Sequence, residues 1–113
     1  MKYEFIKVKD LYEALKHNKN GNEIGFTFDN PEDLDLEKEE PTGWYGVALV
    51  RNFGGESIIF GDYGIGIINS FYCGDYDLED LCRMFSDEGG RKYTEDSLVC
   101  VDVKDVAKCI WNK

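Results

Sequence analysis

Basic residues are scarce in this 113-residue sequence, where 13 lysines and arginines are outnumbered by 23 aspartates and glutamates. The resulting formal net charge of −10 argues against nonspecific binding to nucleic acid, because phosphate contacts require clustered Lys and Arg. An anionic membrane surface is disfavoured for the same reason. The charge instead favours a basic protein as the partner, such as a nuclease or another nucleic-acid-binding protein.

Long hydrophobic runs are also missing from the sequence. Arg51, Glu56 and Asp62 interrupt the most apolar stretch, which leaves it short of the roughly 18 apolar residues that a membrane helix needs. The first ten residues carry scattered charges where a signal peptide would be apolar. We therefore expect a cytoplasmic protein that does not associate with membranes.

Residue types that bind metals or act as nucleophiles are few and poorly arranged. His17 is the single histidine, and no two cysteines have the CxxC spacing of a structural zinc site. The cysteines are Cys73, Cys82, Cys100 and Cys109. An EF-hand is disfavoured at residues 29–40, because Pro31 occupies a ligand position and Leu34 replaces the glycine. We predict reduced, structural thiols, no metal site, no cofactor and no catalytic residue.

The apolar content of the sequence is sufficient for one core. Apolar residues make up 42% of the chain and include two Trp, seven Tyr and seven Phe. A chain of this length buries roughly two thirds of its unfolded surface in a single domain. We predict one α+β domain over residues 1–113, with no internal repeat of useful length and an acidic loop at residues 29–43 bounded by proline and glycine.

Hydrophobic periodicity divides the sequence into strands and helices. Alternating or β-rich stretches predict strands at residues 3–8, 24–28, 44–51, 56–60, 64–72 and 97–103. Apolar residues spaced i, i+3 and i+4 predict three short helices at residues 10–18, 77–88 and 103–111. Turns are predicted at residues 52–55 and 61–64. The order predicts a mostly antiparallel sheet of about five to six strands, with a central meander at residues 44–72 and the helices packed on it.

Six of the acids have a local structural explanation. Each predicted helix opens on an Asp that is followed three residues later by a second acid, a pattern typical of helix caps. The pairs are Asp10 and Glu13, Asp77 and Asp80, and Asp102 and Asp105. These six residues therefore need no functional role.

The remaining acids form two groups. Residues 29–40 contain seven carboxylates and the single base Lys38, with Leu34 and Leu36 between the charges. We predict that the partner-binding surface is formed by Asp29, Glu32, Asp33, Leu34, Asp35, Leu36, Glu37, Glu39 and Glu40. A second acidic face is predicted from Asp75, Asp87, Glu88, Glu95 and Asp96. The alternative is that these acids only keep the protein soluble.

The size, the acidity and the lack of catalytic groups are similar to those of phage-encoded inhibitors such as anti-CRISPR and other DNA-mimic proteins. This likeness is one of composition and is carried by no motif. It implies a non-enzymatic protein of a phage or mobile element that covers the basic nucleic-acid-binding surface of a partner. The first alternative is an immunity protein or antitoxin that neutralises a nuclease toxin. A small enzyme or a structural subunit of a larger assembly is the second.

Overall fold

The computed structural model describes residues 2–17, 23–52, 55–63, 70–73 and 77–111, with the backbone alone at residues 50–52, 55–56, 70–73 and 110–111. The strands are β1 (Tyr3–Lys7), β2 (Ile24–Thr27), β3 (Tyr45–Asn52), β4 (Gly55–Asp62), β5 (Ser70–Cys73) and β6 (Leu98–Asp102). The helices are α1 (Val8–His17), α2 (Leu78–Gly89) and α3 (Val103–Trp111). No helix in these ranges is long and apolar enough to cross a membrane.

The six strands form one sheet in the order β1-β6-β2-β3-β4-β5, and every neighbouring pair is antiparallel. β3, β4 and β5 follow one another as the predicted meander. β6 lies between β1 and β2, which brings strands from opposite ends of the sequence side by side. The prediction of an α+β domain with an antiparallel sheet and three helices is confirmed.

The helices cover one face of the sheet, and the core lies between them and that face. Side chains of a strand alternate between the two faces, so every second strand residue points into the core. Ile24 and Phe26 of β2 and Val47 of β3 are buried against the helices. The Phe26 ring centroid lies 5.0 Å from that of Phe85 and 5.8 Å from that of Phe60. The helices contribute Val8, Leu11, Ala14, Leu15, Leu81, Met84, Phe85 and Cys109 to this core.

Helix α1 begins at Val8, two residues before the predicted start at residue 10. Its first N–H groups are bonded by the chain ahead of β6, where Val8 N–H donates to Ser97 O (2.9 Å) and Lys9 N–H donates to Glu95 O (3.1 Å). Because tertiary contacts satisfy these donors, Asp10 is not needed as the cap and lies inside the first turn. The predicted cap at Asp10 was therefore wrong.

Helix α2 has the predicted cap at Asp77. Its range is shifted by one residue from the predicted 77–88. Asp77 accepts from Asp80 N–H (2.9 Å), and the Asp80 carboxylate accepts from Asp77 N–H (3.3 Å), which is a capping box. The hydrogen bond from the Asp80 backbone is the main reason that the pKa of Asp77 is lowered. The helix ends at Gly89 and is capped by Gly90, whose φ of 74° favours glycine. Helix α3 has the predicted bounds.

β4 extends two residues into the turn predicted at residues 61–64. β4 continues to Asp62, and its Gly61 pairs with Gly46 of β3. The ladder with β3 supplies backbone hydrogen bonds that outweigh the turn preference of glycine and aspartate. Of the strand predicted at residues 64–72, only the last part falls within the described residues.

Candidate protein-binding surface

The acidic segment, residues 29–40, lies between β2 and β3 and forms two consecutive single turns of helix. In the first turn, the Asn30 carbonyl accepts from the N–H groups three and four residues later (2.9 and 3.1 Å), and its side chain accepts from Glu32 N–H (3.0 Å). Asp35 repeats this arrangement in the second turn, where its side chain accepts from Glu37 N–H (3.0 Å). The backbone of the segment is therefore held by its own side chains.

Both ends of the acidic segment are attached to the body of the domain. Thr27 Oγ1, at the end of β2, donates to the Asp29 carboxylate (2.7 Å), and Arg91 donates to the Asp29 carbonyl (3.4 Å). At the other end, Pro41 is buried. These attachments place the segment beside the sheet rather than free in solvent.

The charges of the acidic segment are exposed and poorly neutralised. The exposed acids are Glu32, Asp33, Asp35, Glu37, Glu39 and Glu40, while Asp29 is half-buried. Lys38 Nζ lies 4.0 Å from Asp35, and the Lys38 side chain is 84% exposed. In the described part of the chain, no other base lies within ion-pair distance of these carboxylates. Because an exposed ion pair is weak in water, Lys38 neutralises little of this charge. The segment therefore retains a concentrated negative potential.

Leu34 and Leu36 are half-buried and face the first strand across two shallow cavities. The larger, of about 380 Å³, lies between Phe5 and residues 31–36. The smaller, of about 200 Å³, is lined by Lys2, Tyr3, Leu36, Glu39 and Glu40. The two leucines are therefore partly covered by the domain and partly accessible as apolar contact surface.

The second acidic cluster, Asp87, Glu88, Glu95 and Asp96, is exposed but includes a neutralised member. Asp96 lies 3.3 Å from Lys9 Nζ and 3.7 Å from Lys7 Nζ. Asp75, which was predicted as part of this face, lies outside the described residues. The fold thus brings bases from the first strand and helix to this cluster, whereas the acidic segment receives none of them.

A cavity of about 480 Å³ lies at the start of α2, next to the chain ahead of β6. It is lined by Asp77, Leu78, Glu79, Cys82, Tyr93, Thr94 and Glu95. Burial, followed by the charges of Glu95 and Glu79, raises the pKa of the Cys82 thiol. The thiolate is therefore disfavoured, and this cavity has no activated cysteine nucleophile.

The other two described thiols are buried and more strongly perturbed. Burial raises the pKa of Cys100 to about 11, with a smaller contribution from Asp29. Burial also raises the pKa of Cys109 to about 11, with help from Asp105. Both cysteines are free and protonated at neutral pH, as structural thiols are.

Asp105 has a structural role that the sequence analysis missed. The residue is 6% exposed, and its carboxylate accepts from Gly25 N–H (3.0 Å) and from Tyr63 OH (2.8 Å). The Tyr63 ring lies over Gly25, where an added Cβ would be 2.7 Å from Tyr63 Cε2. Burial, then the hydrogen bond to Asp105, raises the pKa of Tyr63 far above its usual value. The contact ties α3 to β2 and to the end of β4.

The described residues contain no group of three or more metal-ligating side chains, and His17 is exposed at the end of α1. Comparison with family models, curated proteins and solved structures found no match. Among the described residues, the acidic segment is the strongest candidate for a binding surface.

Proposed function

We propose that this chain is a non-enzymatic acidic protein that binds and blocks a basic, nucleic-acid-binding surface of a partner protein, as DNA-mimic inhibitors such as anti-CRISPR proteins do. The proposal is carried by the carboxylates of the acidic segment, six of which are exposed. Among the described bases, only Lys38 pairs with one of them. Closely spaced, unneutralised negative charge is what a groove built for phosphates attracts.

Two further features support binding rather than mere solubility. The capped turns at Asn30 and Asp35 fix the backbone in advance, which lowers the entropy lost on association. Leu34 and Leu36 supply accessible apolar surface between the charges, which a stable interface needs. Acids that serve only solubility require neither a fixed backbone nor apolar neighbours.

The partner is sought by capture on the immobilised protein from a nuclease-treated bacterial lysate. We expect the captured protein to bind nucleic acid and to be released by added duplex DNA, because both ligands would occupy one basic surface. Its identity separates a host nucleic-acid-processing enzyme from a nuclease toxin. Capture that added DNA leaves unchanged would contradict the proposal.

Two variants with equal charge locate the binding surface. The segment variant changes Asp33 and Asp35 to Asn and Glu37, Glu39 and Glu40 to Gln, which keeps the Asp35 cap acceptor. The control variant makes the same amide changes at Asp10, Glu13, Asp87, Glu88 and Glu95, all exposed. Each variant loses five negative charges, so any difference between them reflects position rather than net charge.

We expect the segment variant to bind the captured partner about 100-fold more weakly, from roughly 0.5 kcal/mol for each rim charge. The control should lose only a few-fold, and the salt dependence should flatten only for the segment variant. Titration of each purified variant with the partner over a salt series measures both effects. Equal losses in the two variants would mean that the acidic segment is not the main interface, and that net charge or the second acidic cluster determines binding.

A further inference from the structure

β1 is an edge strand, so among the described strands none pairs with its outer backbone groups. Val8 N–H donates to Ser97 O, and Val103 N–H donates to Lys2 O, which places the even-numbered residues of β1 in hydrogen-bonded pairs with β6. The N–H and C=O groups of Tyr3, Phe5 and Lys7 therefore point away from β6. No described residue forms a backbone hydrogen bond with them.

Ile6 contacts the core, so its side chain is on the face that the helices cover. Successive side chains of a strand point to opposite faces, which places Tyr3 and Phe5 on the face opposite the helices. Cys100, the register partner of Phe5, is on that same face. On that face, the two cavities beside the acidic segment follow β1 in succession, one at Phe5 and one at Tyr3. Leu36 lines both cavities. Together they form a trough that runs along the edge strand.

Carboxylates line both cavities of the trough, Leu36 lies where the two cavities meet, and Lys2, in the smaller cavity, is the one base among the lining residues. Phe5, Leu34 and Leu36 supply the apolar part, while carboxylates of the acidic segment line the two cavities. Those carboxylates belong to Glu32, Asp33, Asp35, Glu39 and Glu40. A second copy of this chain would bring its own net charge of −10, so the charge favours a basic occupant over self-association.

We propose that the outer edge of β1 docks an extended basic segment of the partner protein, which adds to the sheet as a further strand. This proposal rests on the proposed function and specifies the mode of recognition. Backbone hydrogen bonds to the outer groups of Tyr3, Phe5 and Lys7 give affinity, and alternate side chains enter the trough. Those side chains are about 7 Å apart. The fitting motif is basic, any residue, apolar, any residue, basic.

A displayed library of random peptides with eight variable positions tests the motif. We expect the selected binders to be enriched in this basic–apolar–basic alternation and to shift the backbone amide NMR signals of Tyr3, Phe5 and Lys7. Binders that shift other amides, binders without the alternation, or the absence of binders would each overturn strand addition.

Phe5→Pro and Phe5→Ala form a matched pair of protein variants. Both remove the ring, but only proline removes the outward N–H, and this position does not use that N–H to pair with β6. We expect Phe5→Ala to lower the affinity for the best selected peptide about 10-fold, and Phe5→Pro to lower that affinity a further 10-fold or more. Equal affinity for the two variants would contradict the backbone contact.

Backbone N-methylation of the selected peptide at alternate residues is an independent measurement that does not alter the protein. Methylation at residues whose backbone N–H points towards β1 should abolish binding, because it removes a hydrogen-bond donor to the edge strand. Methylation at the next residue, whose N–H points away from β1, should have a small effect. If both methylated peptides bind and the partner protein still depends on the segment acids, strand addition fails and the proposed function stands. If added duplex DNA does not release the captured partner, the proposed function itself fails.

Discussion

The two strand–helix units of this chain, β1–α1 and β6–α3, share the residues Val-Lys-Asp at the start of their helices, at residues 8–10 and 103–105. Both helices begin at the valine with no intervening loop. The aspartates then differ completely, since Asp10 is exposed and Asp105 is buried against Gly25 and Tyr63. The same local sequence gives the same helix start, but the position in the sheet decides what the side chain does.

The two strands differ in the same manner, with consequences for binding. β6 is paired on both sides, by β1 and β2, so its backbone groups are used inside the sheet. β1 is paired on one side and lies beside the acidic segment. Only the first unit therefore combines an open edge with concentrated negative charge, and the proposed docking site depends on that combination.

The largest expected difference between the units is in core packing. Leu11 of α1 is fully buried, whereas Val106, at the equivalent position of α3, is half-buried. Leu11→Ala should lower the free energy of unfolding by about 3–5 kcal/mol, since it leaves a cavity. Val106→Ala should cost about 1 kcal/mol. Urea unfolding of both variants measures the contrast, and equal losses would show that the two helices contribute alike to the core.

The next effect concerns Cys109, which corresponds to Ala14 of α1. Its pKa is raised from 9.0 to about 11, so folding favours the protonated thiol. The associated stability is complete below pH 9 and is lost as the pH rises towards 11, by about 2–3 kcal/mol for this thiol. Cys109→Ala, which copies the residue of the first helix, should make stability less dependent on pH in this window.

Urea unfolding between about pH 8 and about pH 11 measures the alkaline effect. Cys100 has the same shift, and Tyr63 is shifted in the same direction, so Cys100→Ala and Tyr63→Phe serve as backgrounds that isolate Cys109. A pH profile that Cys109→Ala does not alter would contradict the assignment.

The aspartates give a smaller contrast. Asp105→Ala leaves the donors of Gly25 and Tyr63 unsatisfied and should lower the free energy of unfolding by about 2 kcal/mol. Asp10→Ala changes an exposed residue and should cost less than about 0.5 kcal/mol. Asp105→Asn keeps an acceptor oxygen and should recover part of the loss. Thermal unfolding of the three variants measures these differences in stability. A large loss of stability for Asp10→Ala would remove the distinction between the units.

The lysines give the smallest contrast. Lys9 lies 3.3 Å from Asp96, whereas no ion pair is described for Lys104, its equivalent. Lys9→Met should cost a few tenths of a kcal/mol at low salt, and Lys104→Met should cost less. The difference should vanish at high salt because both partners of the ion pair are exposed. A difference that persists in high salt would mean that Lys9 acts through packing of its aliphatic stem.

Prediction from sequence succeeded where the signal was local. The bounds of α3 and the capping box of α2 follow from apolar spacing and from Asp77, so they needed no tertiary information. The start of α1 was missed because its first N–H groups are bonded by Ser97 and Glu95, which are far away in sequence. The extension of β4 was missed because the ladder with β3 outweighs turn preference.

The candidate surface was predictable in composition but not in setting. Seven carboxylates around one lysine are visible in residues 29–40, and exposure of six of them follows from the cost of burying charge. Sequence does not reveal that Leu34 and Leu36 face the edge strand, or that Lys7 and Lys9 neutralise Asp96 instead of this segment. Those facts depend on pairing between distant strands.

The sequence by itself determined most of the secondary structure, the apolar faces and the concentration of charge at residues 29–40, because periodicity and capping act over a few residues. Only the tertiary structure decided that β6 lies between β1 and β2, which leaves β1 at the edge. The reason is that strand order is set by burial and backbone pairing summed over the whole sheet. The same choice buried Asp105 and left Asp10 in solvent.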